Sequence, residues 1–189
     1  MSHSRIVVLI SGSGSNMQAL VEACRAEVVP GAVVAVGADR DCSGLQRARD
    51  LGIETFLMSP KEWPDRDAWS EALRDEVACH QPDLVVSAGF MRILAPVFVD
   101  GFSGRLINLH PSLLPDFPGA HAVRDALEAG VRVTGSTVHY VDHLVDHGPI
   151  LLQEKVEVHD GDTEDTLHAR IKEAEHRLLP QACKLVLEA

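Results

Sequence analysis

The sequence predicts a doubly wound α/β fold: a mostly parallel, twisted sheet with helices on both faces and an antiparallel edge from the C-terminal half. Three observations carry this. Short β-branched apolar runs alternate with helical patterns that stop at glycine, as in successive βαβ units. The first run opens directly into a glycine-rich turn. Two late runs, Val133 to Val141 and Ile150 to Val158, are joined by a polar loop short enough to pair them antiparallel.

Arg5 to Ile10 is nearly continuous in apolar residues, as expected of a parallel strand covered on both faces. Ser11-Gly12-Ser13-Gly14-Ser15-Asn16 follows and leads into a helical pattern over Met17 to Cys24, with Ser15 or Asn16 as the predicted N-cap. A second strand is predicted over Ala32 to Val36, a helix over Leu45 to Leu51 with Gly52 as its stop, and a third strand over Glu54 to Leu57. Arg66 to Cys79 reads as a longer helix closed before Pro82, and Asp83 to Ser87 as a buried strand entering Ala88-Gly89-Phe90-Met91-Arg92.

The stretch Leu106 to Pro115 begins as a fifth buried strand and ends as a rigid loop, because Pro111 and Pro115 cannot continue a central strand. Ala122 to Ala129 is a predicted helix ended by Gly130. From Thr163 to Leu187 the spacing of Leu167, Ile171, Ala174, Leu178, Ala182 and Leu185 predicts a helix facing the sheet, with Asp162 as N-cap and Pro180 as a kink or break.

At 189 residues the chain suits one domain over 1–189. Its formal net charge of −11 argues against nucleic acid or an anionic membrane as partner, since both need a basic surface. No apolar run approaches the roughly 20 residues of a membrane span. The N-terminus Met1-Ser2-His3-Ser4-Arg5 lacks the features of a signal peptide, so a cytoplasmic location is expected. Cys24, Cys42, Cys79 and Cys183 are scattered singly and are expected to be reduced, mostly packed thiols and not metal ligands.

Strand alternation puts Asn108 and His110 on one face, an amide donor beside an imidazole at a strand end where α/β sheets keep their ligand crevices. A carboxylate next to an imidazole raises its pKa and keeps it protonated, and the loop around Asp146 could supply one. Such a trio can stabilise and protonate a tetrahedral intermediate. Spacing alone leaves a His/Asp metal site as the alternative, without a His-x-x-x-His or cysteine cluster to support it. Most of the other histidines, including His3, His80, His159, His168 and His176, are expected to be solvated or incidental. The glycine-rich loop at a helix start suits an anion. It lacks the last glycine of a dinucleotide fingerprint and the Gly-Lys-Ser/Thr ending of a P-loop.

Ile107-Asn108-Leu109-His110-Pro111-Ser112-Leu113-Leu114-Pro115, then Pro118-Gly119-x-His121 and Asp146-x-Gly148-Pro149, resemble the formyl transferases that use 10-formyltetrahydrofolate. Within them, Ser11-Gly-Ser-Gly-Ser-Asn16, Ala88-Gly-Phe-Met-Arg-Ile-Leu94 and Ala174-Glu-His176 are similar to the branch that acts on phosphoribosylglycinamide in purine synthesis.

The resemblance implies a catalytic trio of Asn108, His110 and Asp146. The substrate amine would attack the formyl carbon, Asn108 and protonated His110 would hold the oxyanion, and Asp146 would keep the imidazole charged and assist proton transfer to the folate nitrogen through water. The amine is then the nucleophile, so no serine, cysteine or metal is enlisted. The resemblance implies a phosphate and glycinamide subsite at Gly14, Ser15, Asn16 and Lys172, Glu173, Ala174, Glu175. It implies a folate pocket at Arg66, Met91, Arg92, Ile93, Leu94, Asn108 and the loop Asp142, His143, Leu144, Val145, Asp146, with His121 and Ser136 or Thr137 lining the cleft. It allows a homodimer.

Two relatives share the trio. A methionyl-tRNA formyltransferase would need a further nucleic-acid-binding domain, and a formyltetrahydrofolate deformylase usually carries an extra N-terminal domain. A non-catalytic nucleotide- or folate-binding module is the reading from another class.

Overall fold

A computed structural model of the chain describes residues 3–189, so Met1 and Ser2, part of the N-terminal reading above, lie outside it. Strands β1 (Ser4–Ile10), β2 (Gly31–Ala38), β3 (Glu54–Leu57), β4 (Leu84–Ala88), β5 (Leu106–His110), β6 (Val133–Tyr140) and β7 (Ile150–Glu157) form one sheet. Its order is β3-β2-β1-β4-β5-β6-β7. Every pairing from β3 to β5 is parallel, and β5–β6 and β6–β7 are antiparallel, which is the predicted architecture.

Alternation along β1 divides the core. Ile6, Val8 and Ile10 face the side covered by α1 (Ser15–Arg25), α2 (Ser43–Asp50) and α6 (Glu164–Glu188). Val7 and Leu9 face α3 (Arg66–Cys79) and α4 (Pro96–Gly101), where Trp69, Leu73, Phe98 and Phe102 pack. These residues of β1 are fully buried, at on the order of 2 kcal/mol for each large side chain. The remaining helix, α5 (Ala122–Glu128), packs Val123 beside Leu167 and Ile171 of α6.

Several local expectations are corrected. Helix α1 starts at Ser15, so neither Ser15 nor Asn16 caps it. Gly14 does so in the left-handed conformation (φ 70) without a side-chain bond. The Asn16 amide is engaged elsewhere, with Glu175. Helix α6 is capped by Thr163 in a reciprocal pair with Thr166 and not by Asp162. Asp162 instead accepts from Thr166 Oγ1 and Arg170. Pro180 does not end α6, because Leu178, Leu179, Ala182 and Cys183 are buried around it and their packing offsets the lost backbone bond. Helix α4 and a 3-10 turn over Pro60–Glu62 have no counterpart in the sequence reading, being too short to show a period. All four cysteines are free, but Cys79 is exposed and not packed.

Candidate active site

The strand order reverses between β1 and β4, and both strands deliver loops to the crevice there. The two loops are tied together through a carboxylate the sequence did not single out. Asp39, at the end of β2 with no side-chain exposure, accepts from Ser11 Oγ at 2.6 Å and from Arg92 Nε at 2.7 Å. Ser11 Oγ in turn accepts from the Met91 backbone N–H at 2.9 Å. Burial pushes the Asp39 carboxyl up, and the bonds from Ser11, Arg92 and Arg40 outweigh it, leaving it below the ordinary value. The glycine-rich loop and the 91–94 loop are thus braced on one anion.

At the end of β5 the trio meets. Asp146 Oδ2 lies 3.4 Å from His110 Nδ1, the two side chains being 11% and 5% exposed, so the pair is sequestered. The same oxygen accepts from the Gly119 N–H at 2.8 Å. Asp146 is left-handed (φ 52), a conformation Asp reaches more easily than most residues, and this turns its carboxylate inward from an otherwise exposed loop. Burial raises the Asp146 carboxyl, and the groups around it, the Gly119 N–H and the charge of His110 among them, outweigh this and hold it below the usual range. His110 Nε2 donates to the Phe117 carbonyl at 2.8 Å. Both ring nitrogens therefore face oxygen acceptors.

His139 is the fourth member of this cluster and was not foreseen. It stands directly opposite Asn108 in the β5–β6 pairing, with 2% of its side chain exposed. Its Nε2 is 3.2 Å from Asn108 Nδ2 and 3.7 Å from Asp146 Oδ1.

On the other flank, Asn16 Nδ2 donates to Glu175 Oε2 at 2.8 Å, and Ser136 Oγ lies 3.2 Å from Glu175 Oε1 and 3.0 Å from the His110 carbonyl. Asn16 Oδ1 is buried without a partner, so an acceptor is left for an incoming donor. The expected run 172–175 is split by the helical period. Glu175 points to Asn16, Glu173 is exposed, and Ala174 is packed in the core beside Ile171. Thr137 Oγ1 donates to the Ser112 carbonyl and accepts from the Leu114 N–H, which shapes the loop after β5. His121 is exposed just before α5.

Burial raises the Glu175 carboxyl above its ordinary value, against the bonds from Asn16 and Ser136. A raised folded-state pKa contributes stability below the unfolded value of 4.5, which is lost as pH rises through the folded one. Glu175→Gln, which mimics the protonated acid, is therefore expected to melt above wild type at pH 7.5 and level with it near pH 4. Thermal unfolding at both pH values checks this, and a less stable variant at pH 7.5 would overturn it.

The candidate folate side is apolar and open. Met91, Ile93, Leu144 and Val145 are all more than half exposed although large and hydrophobic. Leu94 is partly buried against the core, and Arg92 is turned to Asp39. Arg66 is exposed in the first turn of α3. The 142–147 loop is pinned by His143 Nε2 to Asp100 at 2.6 Å and His147 Nδ1 to Asp142 at 2.9 Å. The His147 bond is the main cause of a lowered Asp142 carboxyl. Among the described residues no group of three His, Cys, Asp or Glu is arranged to hold a metal ion, and no helix is long and apolar enough to cross a membrane.

The formyl transferase family model matches residues 4–183. The chain is 52% identical over 179 residues to a phosphoribosylglycinamide formyltransferase of Mycobacterium tuberculosis, covering 95% of this chain and 83% of that protein. It is 48% identical over 176 residues to the phosphoribosylglycinamide formyltransferase of Escherichia coli, covering 93% and 83%. The crystal structure of glycinamide ribonucleotide transformylase 1 from Symbiobacterium toebii superposes with a TM-score of 0.96 at 47% identity, over 98% of this chain and 88% of that one. With a family match over nearly its whole length and a fold that superposes along almost all of the chain, the chain belongs to the formyl transferase family.

Proposed function

We propose that the chain transfers the formyl group of 10-formyltetrahydrofolate to the primary amine of 5′-phosphoribosylglycinamide in purine biosynthesis. The observation that carries this reading is the sequestered Asp146–His110 pair beside Asn108, lying between a polar flank with an unpartnered acceptor and an apolar, open one. The names of the relatives above support phosphoribosylglycinamide as the acceptor, and the formyl folate donor is what the resemblance to the family implies.

The formyl folate supplies an activated formyl carbon. Asn16 and Glu175 offer acceptors to the hydroxyl and amine donors of the glycinamide substrate, and Gly14 and Ser15, at the N-terminus of α1, suit its phosphate. Met91, Ile93, Leu144 and Val145 give the pterin an apolar wall that excludes water. Arg66, Arg92, Leu94, Asp142 and His143 complete the folate side, and Lys172, in the α6 turn before Glu175, adds positive charge on the other. As the amine bonds to the formyl carbon, charge on its oxygen is met by the Asn108 amide and the His110 imidazolium. The proton lost by the amine is relayed by His110, Asp146 and water to the folate nitrogen as the carbon–nitrogen bond to folate breaks. We read 1–189 as one catalytic domain of a cytoplasmic enzyme with small-molecule partners.

The test is release of deformylated folate from a 10-formyl folate analogue with and without phosphoribosylglycinamide. Release that requires the amine is expected. Equal release without it would overturn the reading in favour of hydrolysis, and tight folate binding with no release would leave a binding module.

A further inference from the structure

We infer that His139 is a positioning residue for this reaction: it carries its proton on Nδ1 and uses the bare Nε2 to hold the Asn108 amide with its nitrogen turned toward the Asp146 side of the site. The inference rests on the formyl-transfer reading for its catalytic meaning and on the β5–β6 geometry for its content. His139 Nδ1 lies 2.8 Å from the Tyr140 carbonyl, which can only accept, so Nδ1 bears hydrogen. That leaves Nε2, whose nearest polar neighbour is the Asn108 side-chain amide at 3.2 Å. An unprotonated Nε2 needs a donor, so the amide must present Nδ2 to it and Oδ1 away from it.

The competing arrangement puts a second proton on His139 for Asp146. The distances speak against it. Asp146 Oδ1 is 3.7 Å from His139 Nε2, beyond hydrogen-bond reach, whereas Asp146 Oδ2 is nearer to His110 at 3.4 Å. One carboxylate serves two histidines here, and Asp142 is the other acid acting on this end of β6. Both ring nitrogens of His110 face oxygens that can only accept, whereas the second nitrogen of His139 faces an amide. On this geometry His139 is the neutral acceptor.

The consequence concerns the oxyanion. An asparagine amide can rotate by half a turn at little steric cost, exchanging a donor for an acceptor toward the substrate. An acceptor facing developing negative charge would repel it. With Nδ2 anchored by His139, its second N–H is kept on the same side as His110, where both can meet the formyl oxygen. His139 does this without touching substrate.

Two measurements test the assignment. In two-bond 1H–15N correlation spectra of the wild-type enzyme at neutral pH, His139 is expected as the Nδ1–H tautomer. An Nε2–H tautomer or an imidazolium would overturn the inference. This experiment needs no substrate, so its failure is separate from failure of the formyl-transfer assay. In kinetics, His139→Leu is expected to lose about tenfold or more in kcat with both KM values within about threefold, since the amide's orientation matters to the transition state. His139→Gln, which can place an acceptor oxygen at the same position, is expected to recover most of that loss. A His139→Leu enzyme within twofold of wild-type kcat, or a Gln variant as poor as Leu, would overturn it.

Discussion

Asp146→Asn is expected to lower kcat by about a thousandfold while leaving formyl-folate affinity within about tenfold, because in the proposed mechanism the carboxylate acts on charge that develops only in the transition state. The substitution keeps the shape of the side chain and an oxygen for the Gly119 N–H. What it removes is the anion 3.4 Å from His110, which in the proposed mechanism balances an imidazolium. Steady-state turnover and folate binding by fluorescence check both halves. Activity within tenfold of wild type would show that the loop acid is misassigned. There is also a stability signature. The Asp146 carboxyl lies below its ordinary 3.8 in the folded state, so its contribution is present above that value and disappears as pH falls through the folded one. The variant is expected to be less stable than wild type at pH 7, by about 1 kcal/mol for a bond to a charged group that is replaced by a neutral one. The gap should close below about pH 4.

Gly148→Ala is expected to cost about 3 kcal/mol of stability and most of the activity together, as overpacking against rigid backbone does. A Cβ at this position would sit 1.8 Å from the Tyr140 carbonyl oxygen and 3.3 Å from the Asp142 nitrogen. Both are main-chain atoms and cannot rotate away. The adjacent bond from the Tyr140 N–H to the Pro149 carbonyl closes the end of the β6–β7 pair, so relief must come by opening that pair or by moving the loop that carries Asp146. Denaturant midpoints and kcat/KM measured on the same preparation check this. A variant with wild-type stability would show that the hairpin is softer than its contacts imply.

The contrast between Asn108 and His139 shows how far sequence could reach. Asn108 and His110 were legible because they are two apart on one strand, and alternation needs no partner. Asp146 entered through the motif Asp-x-Gly-Pro, not through any period, and only folding brings it 3.4 Å from His110. His139 lay inside a correctly read strand, yet its role depends on register across an antiparallel pair, which a single sequence does not specify when the connecting loop is irregular. Asp39 is similar, since its partners Ser11 and Arg92 meet it only where three strand ends converge. The split of 172–175 was within reach. Ala174 belongs to the same apolar stripe as Ile171 and Leu178, so helical period alone assigns it to the core and leaves Glu175 to the site. The caps at Gly14 and Thr163 are not legible in the sequence, because cap preference does not reveal that Asn16 and Asp162 are committed to Glu175 and Arg170.

The bond from Asn16 to Glu175 joins residues 159 positions apart. Closing so long a span is entropically costly, and nothing local offsets it until the intervening strands have been laid down in order. This flank, proposed to take the glycinamide substrate, is therefore expected to be among the last parts of the molecule to form. In refolding, secondary structure and burial of Trp69 should return ahead of turnover, and a chain halted before α6 docks should be compact yet unable to hold its acceptor substrate.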